Sequence, residues 1–374
     1  MTRAQKTTLG VLSIIACSIW LIILALGSRS YQAWSQQPLG PTLAYSTQLR
    51  LPATWTASPI ATQPTITLAP TLTAETQTAL PPFAACNLDL PTMTLLALGT
   101  DVRPGEHRSG LTDVIRAVRV DFHNQRVTAL EFPRDLWVRI PGIERNLGTD
   151  HQKLNTAYAY GGAEYGPSLA ARTMDVNFGL QADHYIVVNM TIFADVVEAL
   201  GGLDVTIPPG GIDGRTRADR SERLVFPEGP QHLNGEQALT LARIRNVTVF
   251  ARAENQNLVM CALRKKIESP ETILKVPGII NSFLKNIQTD LTPEQISQLA
   301  CLGIRMPRSN ILFASFPLAL FHSAETYDPV LKQNVFIWDT NFDRLRSYVA
   351  DFQAGTWPAS SPSGTPGSES SGCE

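Results

Sequence analysis

Residues 96–115 read LALGTDVRPGEHRSGLTDVI. Two apolar runs flank a loop that holds Asp101, Arg103, Glu106, Arg108 and Asp113. The first run belongs to TMTLLALG, a continuous apolar stretch of strand length, and the second opens VIRAVRVDF, which alternates apolar and polar positions. Those patterns predict a buried strand, then the charged loop, then a half-exposed strand. Asn124 and Gln125 mark a turn, and VTALEFP predicts a third strand. If the first two strands pair as neighbours, Asp101 and Asp113 arrive at the same end of one sheet. Two carboxylates completed by a ligand's phosphates are a common way to hold Mg²⁺. The competing reading is that each aspartate caps a turn or solvates the loop.

Working outward, SLAARTMDVNFG predicts a helix closed by Gly179, HYIVVNM a strand, and TIFADVVEALGG a helix from Thr191 stopped by a glycine pair. LDVTIP predicts a further strand, LNGEQALTLARIRN a helix, and a longer helix follows from about Ala253 to Ile267. TPEQISQLACLG predicts a helix with Thr292 as N-cap and Pro293 at its first position. Strands and helices alternate, with both hairpin and crossover connections. That pattern predicts an α/β fold, an α-β-α sandwich around a central mixed sheet, over residues 88–354.

Cations are spaced along this fold. Arg134 follows Pro133 at the end of the third strand, near the sheet end where ligands of open α/β sheets bind. The alternative for Arg134 and Asp135 is a surface ion pair. Lys153, in HQKLNTAYAYGG on a loop leading to a glycine pair, is a candidate phosphate donor, whereas Tyr158 and Tyr160 read as packing residues. Arg243 and Arg245 lie two apart and share a face of an extended chain. Arg252 and Gln256 lie four apart and share a helix face. Several planar, always-charged donors on one pocket suit a pyrophosphate. A solvated basic face is the alternative.

The ends of the chain are different in kind. Residues 1–7 are a short tail with Arg3 and Lys6, and residues 8–27, TLGVLSIIACSIWLIILALG, carry no charge. A run of about 20 apolar residues matches a bilayer-spanning helix, and the preceding cations place the tail in the cytoplasm. A cleaved signal peptide is the alternative, although the run exceeds a usual signal core and no clean A-x-A site follows. Either way the rest of the chain is expected outside the cytoplasm, and with no second comparable apolar run the expected arrangement is a single-pass cell-membrane protein. Residues 28–87 are rich in Thr, Pro, Ala and Gln and predict a linker, and residues 355–374 predict a disordered tail. A net charge of −2 over 374 residues leaves no basic excess for a nucleic-acid partner. Of the five cysteines, Cys86, Cys261, Cys301 and Cys373 follow the apolar run, where disulfides are permitted. Helix-like settings favour Cys261 with Cys301, and Cys86 with either is the competing choice. No Cys/His cluster has zinc-site spacing.

The order LALGTDVR, TDVI, EFPRDLWVRIPG, KLNTAYAYGG, DHYIVVNMTIFADVVEALGGLDVTIP, GPQHLNGEQALTLARIR, RAENQ resembles the LytR-CpsA-Psr family over roughly residues 92–267. The resemblance implies a hydrophobic pocket for a polyprenyl chain, lined by apolar strands and the TIFADVVEALGG helix. It implies transfer of a phosphorylated glycopolymer from a polyprenyl pyrophosphate carrier to a cell-wall acceptor, usually peptidoglycan. Asp101 and Asp113 match the Mg²⁺-holding aspartates, and Asp101 is also the candidate to accept a proton. Arg134 matches the arginine that contacts the pyrophosphate. Arg243, Arg245, Arg252 and Gln256 match the cluster around the same group, and Lys153 matches a family lysine. Arg103 ranks below these as a pocket-edge phosphate donor, and Glu106 and Arg108 as loop-tip residues. Three charges usual in the family are absent: Leu111 stands for an arginine, Val249 for an acid and Asn255 for an arginine. Asn257 also stands where the family has glutamine. Leu111, Val249 and Asn255 favour one rival reading, a non-catalytic polyprenyl-phosphate binder; a second rival is a pyrophosphate hydrolase acting on the same carrier with water as acceptor.

Overall fold

The computed structural model describes residues 32–43, 86–101, 110–214, 224–244, 250–269, 287–358 and 370–373. The predicted membrane span, residues 8–27, lies outside them, and no helix among the described residues is long and apolar enough to cross a membrane.

The stretch that predicted strands forms a meander. β1 (Met93–Thr100), β2 (Thr112–Asp121) and β3 (Arg126–Glu131) pair antiparallel in sequence order. β4 (Trp137–Arg139) and β5 (His151–Lys153) make a short ribbon. A 3-10 turn, Leu154–Thr156, leads into α1 (Ala157–Phe178), and β6 (His184–Asn189) then runs parallel to β1. After α2 (Met190–Ala199) the strand β7 (Leu203–Ile207) leaves the main sheet. β8 (Ile212–Gly214) pairs with β9 (Leu224–Phe226), and β10 (Gly229–Leu233) pairs with β7. α3 (Gly235–Arg243) and α4 (Ala251–Ile267) follow. The two-residue β11 (Gln288–Thr289) joins β6, and α5 (Pro293–Arg305) starts at Thr292 and Pro293 as predicted. β12 (Ile311–Ala314), the hairpin β13 (Phe321–Asp328) with β14 (Gln333–Thr340), α6 (Phe342–Ala354) and β15 (Ser370–Gly372) complete the described chain.

The main sheet runs β11-β6-β1-β2-β3-β12-β15. The pairs β1–β6 and β3–β12 are parallel and the rest antiparallel, so the sheet is mixed, as predicted. One face, through Leu96, Leu98, Ile115, Ala117 and Leu130, packs on Met174 and Phe178 of α1 and Leu345, Val349 and Phe352 of α6. The other, through Leu95 and Val120, packs on Leu302 of α5, and α4 crosses the same face at Arg116. Helices therefore cover both faces. A separate apolar cluster, including Val197, Leu203, Val205, Leu233, Leu241 and Val259, joins α2, the β7–β10 ribbon, α3 and α4.

Two family-like motifs are explained by close packing. Gly235 of LNGEQAL lies against α2, where a Cβ would sit 2.1 Å from Ala194 O. Glu198 of VEALGG accepts from Gly235 N at 3.0 Å. Asn234 and Gln237 form a capping box that starts α3.

Several expectations are corrected. KLNTAYAYGG is not a loop: it is the 3-10 turn and the start of α1, whose helical geometry breaks only at Gly162 (φ 68°). Gly166 then approaches the Tyr158 ring so closely that a Cβ would lie 2.8 Å away. β2 is not half-exposed, because helices cover both sides of it. Residues 32–43 of the expected linker lie on the domain, with Leu39 N donating to Leu291 O at 3.2 Å and Leu43 against the core. Two described parts of the expected tail pack on the domain: Trp357 stacks on Phe316, and β15 extends the sheet. The disulfides are Cys86–Cys301 and Cys261–Cys373, not Cys261–Cys301. Cys261 lies by Phe313 of β12, where the added edge strand delivers Cys373. Pairing thus depends on which chain end docks at that edge.

Candidate functional site

The site begins with a register shift. Gly99 faces Val114, yet Thr100 faces Thr112, so Asp113 is an extra residue in β2. Such a bulge bends the strand and re-aims its side chains. It also moves Thr112 to the α1 side, where its hydroxyl donates to Asn155 O at 3.2 Å. Gly99 permits the close approach, since a Cβ there would meet Val114 Cβ at 2.9 Å. One residue past β1, Asp101 N donates to Leu111 O at 3.1 Å. Both aspartates therefore stand at one end of the sheet, as the sequence predicted.

Two cations reach Asp113, and a third joins through Asp135. Arg134 Nη1 pairs with Asp113 Oδ1 in a short contact, and Arg134 Nε lies 3.2 Å from Asp135 Oδ2. Arg252 Nη1, from the first turn of α4, approaches the same Asp113 oxygen at 3.4 Å. Lys153 Nζ donates to Asp135 Oδ1 at 2.9 Å. Backbone bonds fix the turn that carries Arg134: Asn155 N donates to Arg134 O at 3.1 Å, Leu154 N to Leu136 O at 2.8 Å, and Trp338 N to Asp135 O at 3.1 Å. Segments from β2, the turn after β3, β5, α4 and β14 converge, so the site is a product of tertiary folding.

The electrostatics follow from the crowding. Burial raises the Asp101 carboxyl above the ordinary carboxylate range, the neighbouring Asp113 charge raises it further, and Arg243 opposes the shift. Burial would weaken the Arg134 charge, but Asp113 and Asp135 outweigh it and hold the guanidinium more firmly protonated. Buried ion pairs repay their desolvation only when well partnered, and here Asp113, Arg134 and Asp135 each have two charge partners.

The fold thus brings Asp101, Asp113, Arg134, Lys153 and Arg252 together, and Arg243 is near enough to act on Asp101. Gln256 lies one layer behind, with its amide engaged by protein groups: Oε1 accepts from Arg116 at 3.2 Å and Nε2 donates to Ala242 O at 3.4 Å. Arg103, Glu106, Arg108, Arg245 and Val249 lie outside the described residues. Leu111 is 39% exposed at the rim, and Asn255 is buried. Sequence reading missed three participants. Asp135 is the carboxylate shared by Arg134 and Lys153. Arg116 and Glu131 form a buried pair at 2.6 Å beneath the site, and burial raises the Glu131 carboxyl against the opposing Arg116 and Arg252 charges. An arginine at a polar position of an alternating strand reads as solvent-facing, and no local signal announces that α4 covers it.

Among the described residues no group of three or more His, Cys, Asp or Glu could hold a metal. The pair Asp101 and Asp113 nevertheless suits Mg²⁺, which takes one or two carboxylates plus substrate oxygens. Burial raises the Asp101 carboxyl and the Asp113 charge adds to it, and that second contribution is what a divalent cation would relieve.

Comparison with known proteins agrees with this architecture. The chain is 29% identical over 201 residues to polyisoprenyl-teichoic acid–peptidoglycan teichoic acid transferase TagV of Bacillus subtilis, covering 53% of the chain and 49% of that protein. It is 30% identical over 207 residues to the transferase TagU of Bacillus mycoides, covering 54% and 62% respectively. It is 29% identical over 218 residues to the regulatory protein MsrR of Staphylococcus aureus, covering 57% and 61%. The match thus spans about half to three fifths of these relatives' length. Two solved structures share the fold. One is B. subtilis TagV, with TM-score 0.52, 24% identity, and 70% of this chain and 96% of that one covered. The other is TagT with octaprenyl pyrophosphate lipid bound, with TM-score 0.51, 21% identity, and 72% and 91% covered. The LytR_cpsA_psr family model matches residues 72–335, which is most of the 374 residues, and the chain belongs to that family.

Proposed function

We propose that this chain transfers a phosphorylated glycopolymer from a polyprenyl pyrophosphate carrier to a cell-wall acceptor of the peptidoglycan type. The work would be done outside the cytoplasm, with residues 8–27 as membrane anchor. The observation that carries the reading is the sharing of one Asp113 oxygen by Arg134 and Arg252. Two guanidiniums held at a carboxylate can turn to the oxygens of a pyrophosphate, and Arg is suited to that planar recognition. Family membership and relatives named as teichoic acid transferases support the same chemistry. The two disulfides suit an oxidising compartment.

In this reading a sugar hydroxyl of the acceptor attacks the sugar-proximal phosphorus. The new O–P bond forms as the bond to the polyprenyl phosphate breaks. Arg134 and Arg252 stabilise the charge that grows on the leaving phosphate. Lys153 holds Asp135, and so Arg134, in place. Asp101 is the candidate to take the hydroxyl proton. Mg²⁺, held by Asp101 and Asp113, would supply neutralisation of the pyrophosphate charge.

The test is to incubate the purified full chain with a polyprenyl-pyrophosphate glycan, Mg²⁺ and peptidoglycan fragments, with and without a chelator. Linked product that disappears with the chelator is expected. Free glycan phosphate would replace this reading with hydrolysis, and bound but unchanged lipid would replace it with a binding role.

A further inference from the structure

Arg116 is 7% exposed and stands directly opposite Glu131 in the β2–β3 register. Its Nε lies 2.6 Å from Glu131 Oε2. Its Nη2 donates to Ala253 O at 3.3 Å and to Gln256 Oε1 at 3.2 Å, both on α4. Gln256 passes the connection on, since its Nε2 reaches Ala242 O in α3 at 3.4 Å. The guanidinium also lies over the Phe313 ring of β12, 5.5 Å from its centroid. One side chain therefore ties β2 to β3, to the first turn of α4 and, through Gln256, to the end of α3.

The anchored backbone positions are telling. Ala253 directly follows Arg252, and Ala242 directly precedes Arg243. Those are the two arginines that act on Asp113 and Asp101. Elsewhere this face of the sheet is filled by Leu95, Val118 and Val120. A buried ion pair is weak support for stability, and apolar residues of similar volume commonly serve as well or better. What a pair with fixed hydrogen-bond directions adds is positional definition, and here the position defined is that of the site's cations.

We infer that Arg116, neutralised by Glu131 and relayed by Gln256, is a positioning residue that sets Arg252 and Arg243 over the two aspartates. Gln256 then works through the protein rather than on the phosphate. The activity readout rests on the transferase reading, but the backbone readout does not.

The test replaces both charges together, Arg116→Met with Glu131→Gln, so that no lone buried charge remains. The variant is expected to keep its melting temperature within a few degrees. Amide exchange at residues 242–244 and 251–256 should speed up, while that of α1 and α6 stays as in the wild type. Initial-rate transfer should lose kcat on the order of 10²-fold, the cost of a small misplacement of catalytic groups, with less change in KM for the lipid donor. Should the double variant fail to fold, Arg116→Lys carries the same test, because lysine keeps the charge but not the two-directional reach. A folded variant with wild-type exchange in both segments overturns the inference, as does unchanged kcat beside an active wild type. If the wild type itself transfers nothing, the transferase reading falls, and the exchange result still decides the positioning role.

Discussion

β2 has an aspartate near each end, and the two ends are built on opposite terms. At the β3 end, Asp121 is satisfied by its own neighbourhood. Its Oδ1 accepts from Asn124 N at 2.9 Å, and its Oδ2 accepts from Asn124 Nδ2 at 3.0 Å and Arg119 Nη1 at 3.3 Å. Burial works against the charge there, yet those donors outweigh it and hold the carboxyl below its ordinary value. At the β1 end, Asp101 and Asp113 crowd each other, and Asp101 is held above its ordinary value. The cations that answer them arrive from the turn after β3 and from α4. A carboxylate closed off by residues within three positions stabilises a turn. Carboxylates crowded together, with cations borrowed from distant segments, fit the pyrophosphate site proposed above.

The comparison can be broken at several points. Arg134→Ala removes the group shared by Asp113 and Asp135, and transfer is expected to fall about 10²–10³-fold, as when one preorganised donor is removed. Initial rates measure it, and an unchanged rate would refute the site assignment. Asp113→Asn should lower transfer by roughly 10²-fold on the same grounds. It should also bring the Asp101 carboxyl down toward its ordinary value, visible in a carboxyl-carbon NMR titration. If Asp101 does not move, the two aspartates are not the coupled pair described here. Leu111→Arg restores a cation at the rim beside Asp101, and a severalfold rise in transfer is expected on electrostatic grounds. No change would mean that another donor already serves that place.

At the opposite end Asp121→Asn should leave transfer unaltered and cost about 1 kcal/mol of stability, the scale of a net hydrogen-bond contribution. Its pH dependence has a definite sign. Because the folded carboxyl lies below its ordinary value, its stabilisation is complete above the unfolded value of about 3.9 and fades as pH falls through the folded one. The variant should therefore lack that part of the acid-side loss seen in wild-type melting temperatures. Lost transfer in this variant would erase the distinction between the two ends.

Much of this molecule was legible in order and period. TMTLLALG and the alternating VIRAVRVDF read as strands, although the second was expected to be half-exposed, and TPEQISQLACLG announced its helix with Thr292 and Pro293. Arg134 was legible because Pro133 ends a strand at a definite end of the sheet. The partners of these groups were not legible. Asp135 reads as an ordinary neighbour of Arg134 until β5 brings Lys153 to it. Arg116 reads as a solvent-facing residue until α4 lies across it.

The amino-acid order by itself determined β1, β2, β3, β6 and β7, the helices α2 to α5, the α/β class, the apolar N-terminal run and the residue types of the site, because these depend on local periodicity, capping and side-chain chemistry. Tertiary structure decided the rest. The bulge that makes Asp113 an extra residue in β2 depends on Gly99 meeting Val114 across two strands. The disulfide partners depend on Cys373 being carried to the β12 edge. The brace from Arg116 to Gln256 depends on a helix more than a hundred residues downstream packing over β2. Contacts of that range are set by which surfaces bury together, and no window of sequence contains both of their sides.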